Sequence, residues 1–138
     1  MSARYVLDAC ALLAVLGREP GAEKVLEIYH EATSGRVLLS MNKVNLLEVY
    51  YYLYRAYGGE RADQFFVEIK RSPIIINHEI TDDIFAEAGR LKATYKMSLA
   101  DSIALAEAST SGGALLTADH HEFDIVAEKE DITFLWIR

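Results

Sequence analysis

Short apolar runs alternate with longer amphipathic segments along this chain, which is the pattern of an α/β fold. Five of the runs have the length of strands, and they do not alternate apolar with polar residues. Continuous apolar strands indicate parallel strands that are covered on both faces. The predicted strands span residues 5–7, 37–39, 74–76, 114–117 and 133–136.

The segments between these strands carry helix signals, namely apolar residues at helical spacing with Gly, Pro, Ser or Thr at the ends. Helical connections between parallel strands give a doubly wound, five-stranded sheet. No linker or repeat divides the 138 residues, so we expect a single domain, residues 1–138. The helices are predicted at 9–16, from Pro20 to about residue 33, from a cap at Ser40 or Asn42 to Tyr57, at 60–70, from a cap at Thr81, from a cap at Ser98 to residue 109, and at 123–127.

Composition narrows the class of protein. No apolar run is long enough to cross a bilayer and no secretory signal is evident, so a cytoplasmic location is expected. The single cysteine, Cys10, excludes an internal disulfide and a cysteine-based zinc site. The net charge of −7 argues against a protein that coats nucleic acid. It does not argue against a metal-dependent nuclease, because a bound cation changes the local field.

Two carboxylates follow predicted strands. Asp8 comes directly after the first strand, and Asp119 lies two residues beyond the fourth. Ligands of open α/β sheets bind at the carboxyl ends of strands, where the strand order reverses. If the first and fourth strands are neighbours, these two side chains meet at that point.

Two further carboxylates lie on predicted helices. Glu48 is surrounded by apolar residues in the middle of its helix, where an unpaired charge is costly to bury. Asp101 lies in the first turn of a strongly apolar helix. Converging carboxylates repel one another unless a cation lies between them. Oxygen-only donors favour Mg²⁺ or Mn²⁺, which can activate water for attack on a phosphoryl group.

Each acid also has a simpler structural explanation. Asp101 stands three residues after Ser98, as in a helix capping pair, and Asp119 could likewise begin a helix. Asp8 could be a turn residue. No phosphate-binding glycine loop, nucleophile elbow or H-E-x-x-H motif offers a competing chemistry.

Four segments together resemble the motifs of PIN domains. They are residues 5–13 around Asp8, residues 45–49 around Glu48, residues 99–106 around Asp101 and residues 115–119 ending at Asp119. Each motif is weak alone, but the four in this order and spacing are fairly specific and extend over almost the whole chain.

The compact size is most similar to VapC-type toxins of prokaryotic toxin–antitoxin pairs. The resemblance implies a Mg²⁺- or Mn²⁺-dependent endoribonuclease acting on RNA, with a PIN-like three-layer α/β fold and a parallel sheet in the order 3-2-1-4-5. It also implies a homodimer and a protein antitoxin. The metal ligands and catalytic residues carry over one by one onto Asp8, Glu48, Asp101 and Asp119, with Asn45, Ser98 and Thr117 as polar groups around them.

Three acids crowd the segment after the fourth strand. We assign Asp119 to the metal because it is nearest the strand end. A helix starting after it would bury Phe123 and Val126, which turns Asp124 away and leaves it an outer role at most. Glu122 is interpreted as a reciprocal cap of that helix.

Other conspicuous side chains are given structural roles. We interpret Cys10 as core packing, and His120 and His121 as exposed loop residues. Five tyrosines lie between residues 50 and 57, more than one buried stripe can hold. Some of their rings should therefore be exposed, where they would suit a dimer or antitoxin surface.

Alternative functions are separable by sequence. A phosphoaspartate receiver needs an acidic pair after the first strand and an Asp after the third, but this chain has one Asp8 and then Asn77. A haloacid-dehalogenase-like hydrolase needs a second Asp where Cys10 stands. A catalytically silent PIN-fold interaction module remains the non-enzymatic alternative.

Overall fold

The computed structural model describes residues 3–138, in which five strands and seven helices alternate as the sequence predicts. The order of elements along the chain is β1 (Ala3–Leu7), α1 (Ala9–Leu16), α2 (Ala22–Thr33), β2 (Val37–Asn42), α3 (Lys43–Tyr57), α4 (Gly59–Lys70), β3 (Ile75–Asn77), α5 (Asp82–Thr94), α6 (Leu99–Ser111), β4 (Ala114–Thr117), α7 (His120–Lys129) and β5 (Thr133–Trp136). No helix within these residues is both long and apolar enough to span a membrane.

The five strands form one parallel sheet in the order β3-β2-β1-β4-β5, which confirms the α/β, PIN-like fold class. The central strand β1 pairs with β4 through Leu7 and Leu116 and with β2 through Tyr5 and Leu39. From β1 the chain adds β2 and then β3 on one side of the sheet, and afterwards adds β4 and β5 on the other side of β1. The strand order therefore reverses between β1 and β4. The carboxyl ends of these two strands are therefore the expected ligand site of the sheet.

Both faces of the sheet are buried, as the continuous apolar strands indicate. Leu7, Leu39 and Leu116 belong to the core on one face, together with side chains of the first four helices. Val6 and Leu115 face the opposite way and pack with residues of α5, α6 and α7. Because successive residues of a strand point to opposite faces, consecutive residues in the covered part of such a strand are apolar, as Val6 and Leu7 are in β1.

The start of α2 differs from the prediction. The sequence places Pro20 at the first turn, whereas the helix begins at Ala22 and is capped by Gly21 with φ of +96°. A Cβ atom on Gly21 would lie 2.5 Å from the carbonyl oxygen of Ile137. The turn therefore needs glycine for its left-handed backbone and for the close approach of the C-terminal strand.

Several other boundaries are corrected. The last helix is longer than the predicted 123–127, because Asp119 accepts a hydrogen bond from the backbone of Glu122 and the helix begins at His120. Strand β2 continues to Asn42, which excludes Ser40 as the cap of α3. Asn42 caps that helix by accepting from Val44 N–H at 2.9 Å.

Candidate metal centre

Asp8 is held at the end of β1 by the helix that follows. Its Oδ1 accepts a hydrogen bond of 2.8 Å from the backbone N–H of Ala11, so the carboxylate is the N-cap of α1. The residue is only 2 % exposed. The strand end and the helix start fix the carboxyl group beneath the surface.

No Lys, Arg or His side chain within residues 3–138 forms a salt bridge with the Asp8 carboxyl group. Burial raises its pKa to about 7, although hydrogen bonds from Thr117 and Ala11 oppose the shift. The charges of Asp101 and Asp119 raise this pKa further, which places both acids near Asp8. Asp101 and Asp119 are therefore near enough to act on the Asp8 charge, while a shared role of the three in holding a metal stays a prediction.

Glu48 and Asp101 approach from two helices that pack against each other, α3 and α6. Both side chains are half-buried. Burial raises the pKa of Glu48, and the charge of Asp101 adds to that rise. Burial also raises the pKa of Asp101, to which Asp119 contributes. Glu48 is therefore coupled to the other acids through Asp101.

Asp119 lies just past β4 and is the N-cap of α7. Its side chain accepts from Glu122 N–H at 3.1 Å, while its own N–H donates to the Thr117 hydroxyl at 3.0 Å. Thr117 is fully buried, so this hydroxyl is a fixed support for the loop. The same threonine hydroxyl lowers the pKa of Asp8, and so it contacts both strand-end acids.

The acids open into a groove of about 960 Å³. Glu48, Asp101 and Asp119 line this groove, together with Ser98. The other lining residues lie on α1, α3 and α4 and in the segment that follows α1. A chain-like substrate could therefore lie across the carboxylates and along the groove.

The donor chemistry fits a hard divalent cation, although the carboxylates do not yet surround a single point. Within residues 3–138, none of the four acids forms a salt bridge. No three Asp, Glu, His or Cys side chains in that range are close enough together to ligate one ion. Carboxylates repel one another without a cation, whereas oxygen donors are the ligands that Mg²⁺ and Mn²⁺ prefer.

Besides Thr117, two other polar residues were expected around the acids, Ser98 and Asn45, and they occupy different environments. Ser98 caps α6 by accepting from Asp101 N–H at 3.1 Å, and its hydroxyl lowers the pKa of Asp101. The backbone N–H of Asp101 thus takes part in helix capping while its carboxyl group lines the groove. Asn45 is 1 % exposed, yet neither polar atom of its side-chain amide has a hydrogen-bond partner in the described part of the chain. It lies one turn before Glu48 on α3.

The orientation of α7 agrees with the sequence prediction, the role of Glu122 is corrected, and the assignment of Asp119 to a metal stays a prediction. Phe123 and Val126 are buried, and Asp124 points to solvent, where it contacts Nδ1 of His120 at 2.8 Å. Glu122 does not act as a reciprocal cap, since Thr117 takes the N–H of Asp119. Glu122 instead lies near enough to Asp101 to raise its pKa. Glu122 lies in the first turn of α7, close to Asp119. The sequence prediction interpreted this position as a helix cap, but the same position also brings the side chain near Asp101.

The histidine and cysteine interpretations are both corrected. His120 and His121 are exposed as expected, but they begin α7 rather than lying in a loop. The His120 ring stacks on that of Trp136 at 4.0 Å between centroids. Its Nε2 contacts the carbonyl oxygen of Arg138 at 2.8 Å, so its interactions fasten the C-terminus. Burial raises the pKa of the Cys10 thiol to about 11, so a reactive thiolate is disfavoured. The side chain is only partly buried and lines the same groove as Asp101 and Asp119, which corrects its interpretation as core packing.

Comparison with known proteins follows this geometry. The family model described as PIN domain matches residues 5–129. The chain belongs to the PIN-domain family. The matched region includes all four acids, and the resemblance found in the sequence is confirmed. No protein of curated function matches the chain significantly.

Solved structures of toxin–antitoxin proteins share the fold of this PIN domain. VapBC-1 from nontypeable Haemophilus influenzae is 15 % identical with a TM-score of 0.74, covering 97 % of this chain and 98 % of that one. VapBC2 from Rickettsia felis, bound to a DNA fragment from the promoter, is 15 % identical with a TM-score of 0.72 and coverage of 96 % and 98 %. VapC20 from Mycobacterium tuberculosis, a sarcin-ricin loop cleaving toxin, is 19 % identical with a TM-score of 0.63 and coverage of 91 % and 95 %. At these identities the likeness concerns the fold.

Proposed function

We propose that this PIN domain is an endoribonuclease that hydrolyses RNA phosphodiester bonds with Mg²⁺, for which Mn²⁺ can substitute. The observation that carries the proposal is the Asp8 carboxyl group, which is buried beside Asp101 and Asp119. Such an arrangement is unfavourable for an isolated protein and favourable once a divalent cation is bound. A groove lined by Asp101 and Asp119 gives access to a polymer.

Asp8, Glu48, Asp101 and Asp119 would hold the ion. When bound, it supplies a Lewis acid that activates water and stabilises negative charge on the phosphoryl group. The chain's own contribution is to fix the ligands. Each of the three aspartates is bonded within the start of a helix, and Thr117 supports both strand ends. Rigid elements of this kind hold a reaction geometry better than loops do.

The proposal extends to partners. The similar VapBC structures, which share this fold, favour the toxin of a VapBC-type pair, with a protein antitoxin and a cytoplasmic location. A homodimer is also proposed. Leu47, Phe85 and Leu99 are more than half exposed, and large apolar side chains of this kind are typical of interfaces.

Cleavage of RNA under controlled metal conditions tests the function. Purified protein should cleave single-stranded or loop RNA with Mg²⁺ or Mn²⁺, and not with Ca²⁺ alone, because Ca²⁺ takes more ligands in looser geometry. Excess EDTA should stop the reaction, and unchanged cleavage in EDTA would exclude the metal mechanism. Sequencing of RNA ends after expression, beside an Asp8→Asn control, would identify the RNA.

A second candidate, an interaction module without catalysis, is favoured by one observation. No three ligating side chains converge within residues 3–138. The two functions differ in how the protein responds to Mn²⁺. The enzyme should bind the ion and turn over RNA, whereas a silent module should do neither.

A further inference from the structure

Exposed aromatic rings line the same groove as Glu48, Asp101 and Asp119. Tyr51, Tyr52 and Tyr57 are 47 %, 51 % and 62 % exposed, and all three contribute to this groove. The fold does not need these rings. The inward side of α3 is supplied by residues such as Leu46, Val49 and Leu53.

The positions of the rings follow from helix geometry. Tyr51 and Tyr52 are three and four residues after Glu48, so they lie on the same face of α3, about one turn away. Tyr57 is the last residue of α3 and comes to the groove beside Arg61 of α4. At about 1.5 Å per residue, the rings are about 6 Å and about 13 Å from Glu48 along the helix axis.

Two arginines lie beside these rings, and one of them, Arg61, lines the groove, whose other charged lining residues are acidic. The Arg55 guanidinium lies 5.6 Å from the centre of the Tyr51 ring, and Arg61 lies 5.6 Å from that of Tyr57. Guanidinium groups stacked on aromatic rings are held in place while they keep free N–H donors. The groove therefore offers stacking surfaces with fixed positive charge beside them, rather than a general basic surface.

We infer that Tyr51, Tyr52 and Tyr57, with Arg55 and Arg61, form a stacking arm that binds unpaired bases of the RNA on one side of the cleaved phosphate. This inference rests on the proposed nuclease function. A strand with its phosphate at Glu48 and its chain along the groove passes the three rings in turn. Aromatic stacking suits every base and needs little sequence information.

The stacking arm selects single-stranded RNA. Bases in a duplex are stacked on one another, and the deep groove of A-form RNA is closed to side chains. The arm is short, about 13 Å from Glu48 to Tyr57 along the helix, and so it holds only the few nucleotides next to the cleaved bond. Substrate choice by this arm depends on unpaired structure near the cut rather than on distant sequence.

Binding of a defined RNA tests the stacking arm separately from catalysis. The probe is a fluorescent, unstructured 12-nucleotide RNA, and the protein carries Asp101→Asn so that the probe is not cleaved. Anisotropy is measured for this parent, for added Tyr51→Ala with Tyr52→Ala, and for added Tyr52→Phe. Tyr54→Ala is the matched control, because Tyr54 lies on the same helix, is 54 % exposed and does not line the groove.

The double alanine variant should bind more weakly by about 5- to 140-fold for each base that loses its stacking partner. Tyr52→Phe and Tyr54→Ala should stay within about twofold of the parent, and removing single bases from the probe near the cleavage position should weaken the parent but not the double variant. Thermal unfolding of each variant checks the fold. Unchanged binding by the double variant would overturn the stacking arm, while cleavage by the wild type would keep the nuclease. If the wild type neither cleaves nor binds the RNA, both ideas fail.

Discussion

Asp8 and Asp119 have equivalent positions and roles at the carboxyl ends of two adjacent strands. Each follows a strand of the β1–β4 pair, and each caps the next helix with its side chain. The charge of Asp119 in turn raises the pKa of Asp8. Two ordinary capping interactions thus bring two carboxylates together at the point where the strand order reverses, which is how the fold assembles an acidic centre from local sequence signals.

The first prediction concerns the energetic cost of Asp8. Its pKa is about 7 in the folded protein against 3.8 for an ordinary Asp, so the folded state disfavours the charge. The loss of folding stability caused by the buried Asp8 charge is absent below about pH 4, grows as the pH rises towards 7, and is constant at higher pH. Asp8→Asn should therefore stabilise the metal-free protein at pH 8, on the order of 4 kcal/mol, and have little effect at pH 4.

Urea unfolding in EDTA at the two pH values measures this difference. Asn keeps an acceptor for Ala11 N–H, so the cap is preserved. Adding Mn²⁺ should reverse the ranking, because only the wild type gains the ion as a ligand. A variant that is no more stable than wild type at pH 8 would show that the Asp8 charge is compensated without metal.

The second prediction separates capping from catalysis at α6. Ser98→Ala removes the cap on Asp101 N–H and should cost about 1 kcal/mol of stability, with cleavage largely retained. Asp101→Asn keeps the cap intact and should abolish RNA cleavage. Cleavage rates and unfolding midpoints of both variants check this. An active Asp101→Asn enzyme would mean that Asp101 is only a helix-start residue.

The third prediction uses two glycines with left-handed backbones. Gly21 has φ of +96° and Gly35 has φ of +78°, but only Gly21 has a neighbour within 4 Å of its absent Cβ. Gly35→Ala should cost about 1 kcal/mol for the backbone alone. Gly21→Ala should cost clearly more, because the new carbon meets the Ile137 carbonyl. Equal unfolding midpoints for the two variants would contradict this packing explanation.

Local sequence patterns predicted most of this fold because they report local physics. Apolar runs, Thr81 and Ser98 as helix caps, and the strand order implied by the family resemblance all agree with the structure. The start of α2 was missed because it depends on Ile137, more than a hundred residues away. Glu122 was missed for a related reason, since a first-turn acid that caps and one that faces a neighbouring helix look alike in sequence.

The last prediction ranks the three acids of α7 by their effect on metal binding. Asp119 stands at the strand end and its charge raises the pKa of both Asp8 and Asp101. Glu122 raises the pKa of Asp101 and is not among the groups that raise the pKa of Asp8 or Glu48. Asp124 is exposed and bonded to His120. We expect Asp119→Asn to weaken Mn²⁺ binding most, Glu122→Gln to weaken it less, and Asp124→Asn to leave it unchanged.

Calorimetric titration of the three variants with Mn²⁺ decides the ranking, because each substitution removes one charge and keeps the side-chain shape. Asp119→Asn retains an acceptor for Glu122 N–H, so the start of α7 should survive and a lost affinity would report the ligand itself. Asp124→Asn is the matched control, since it lies on the same helix and outside the groove. If Asp124→Asn lost the ion while Asp119→Asn kept it, the fourth ligand would be Asp124, and the contact between His120 and Asp124 would have to open for metal to bind.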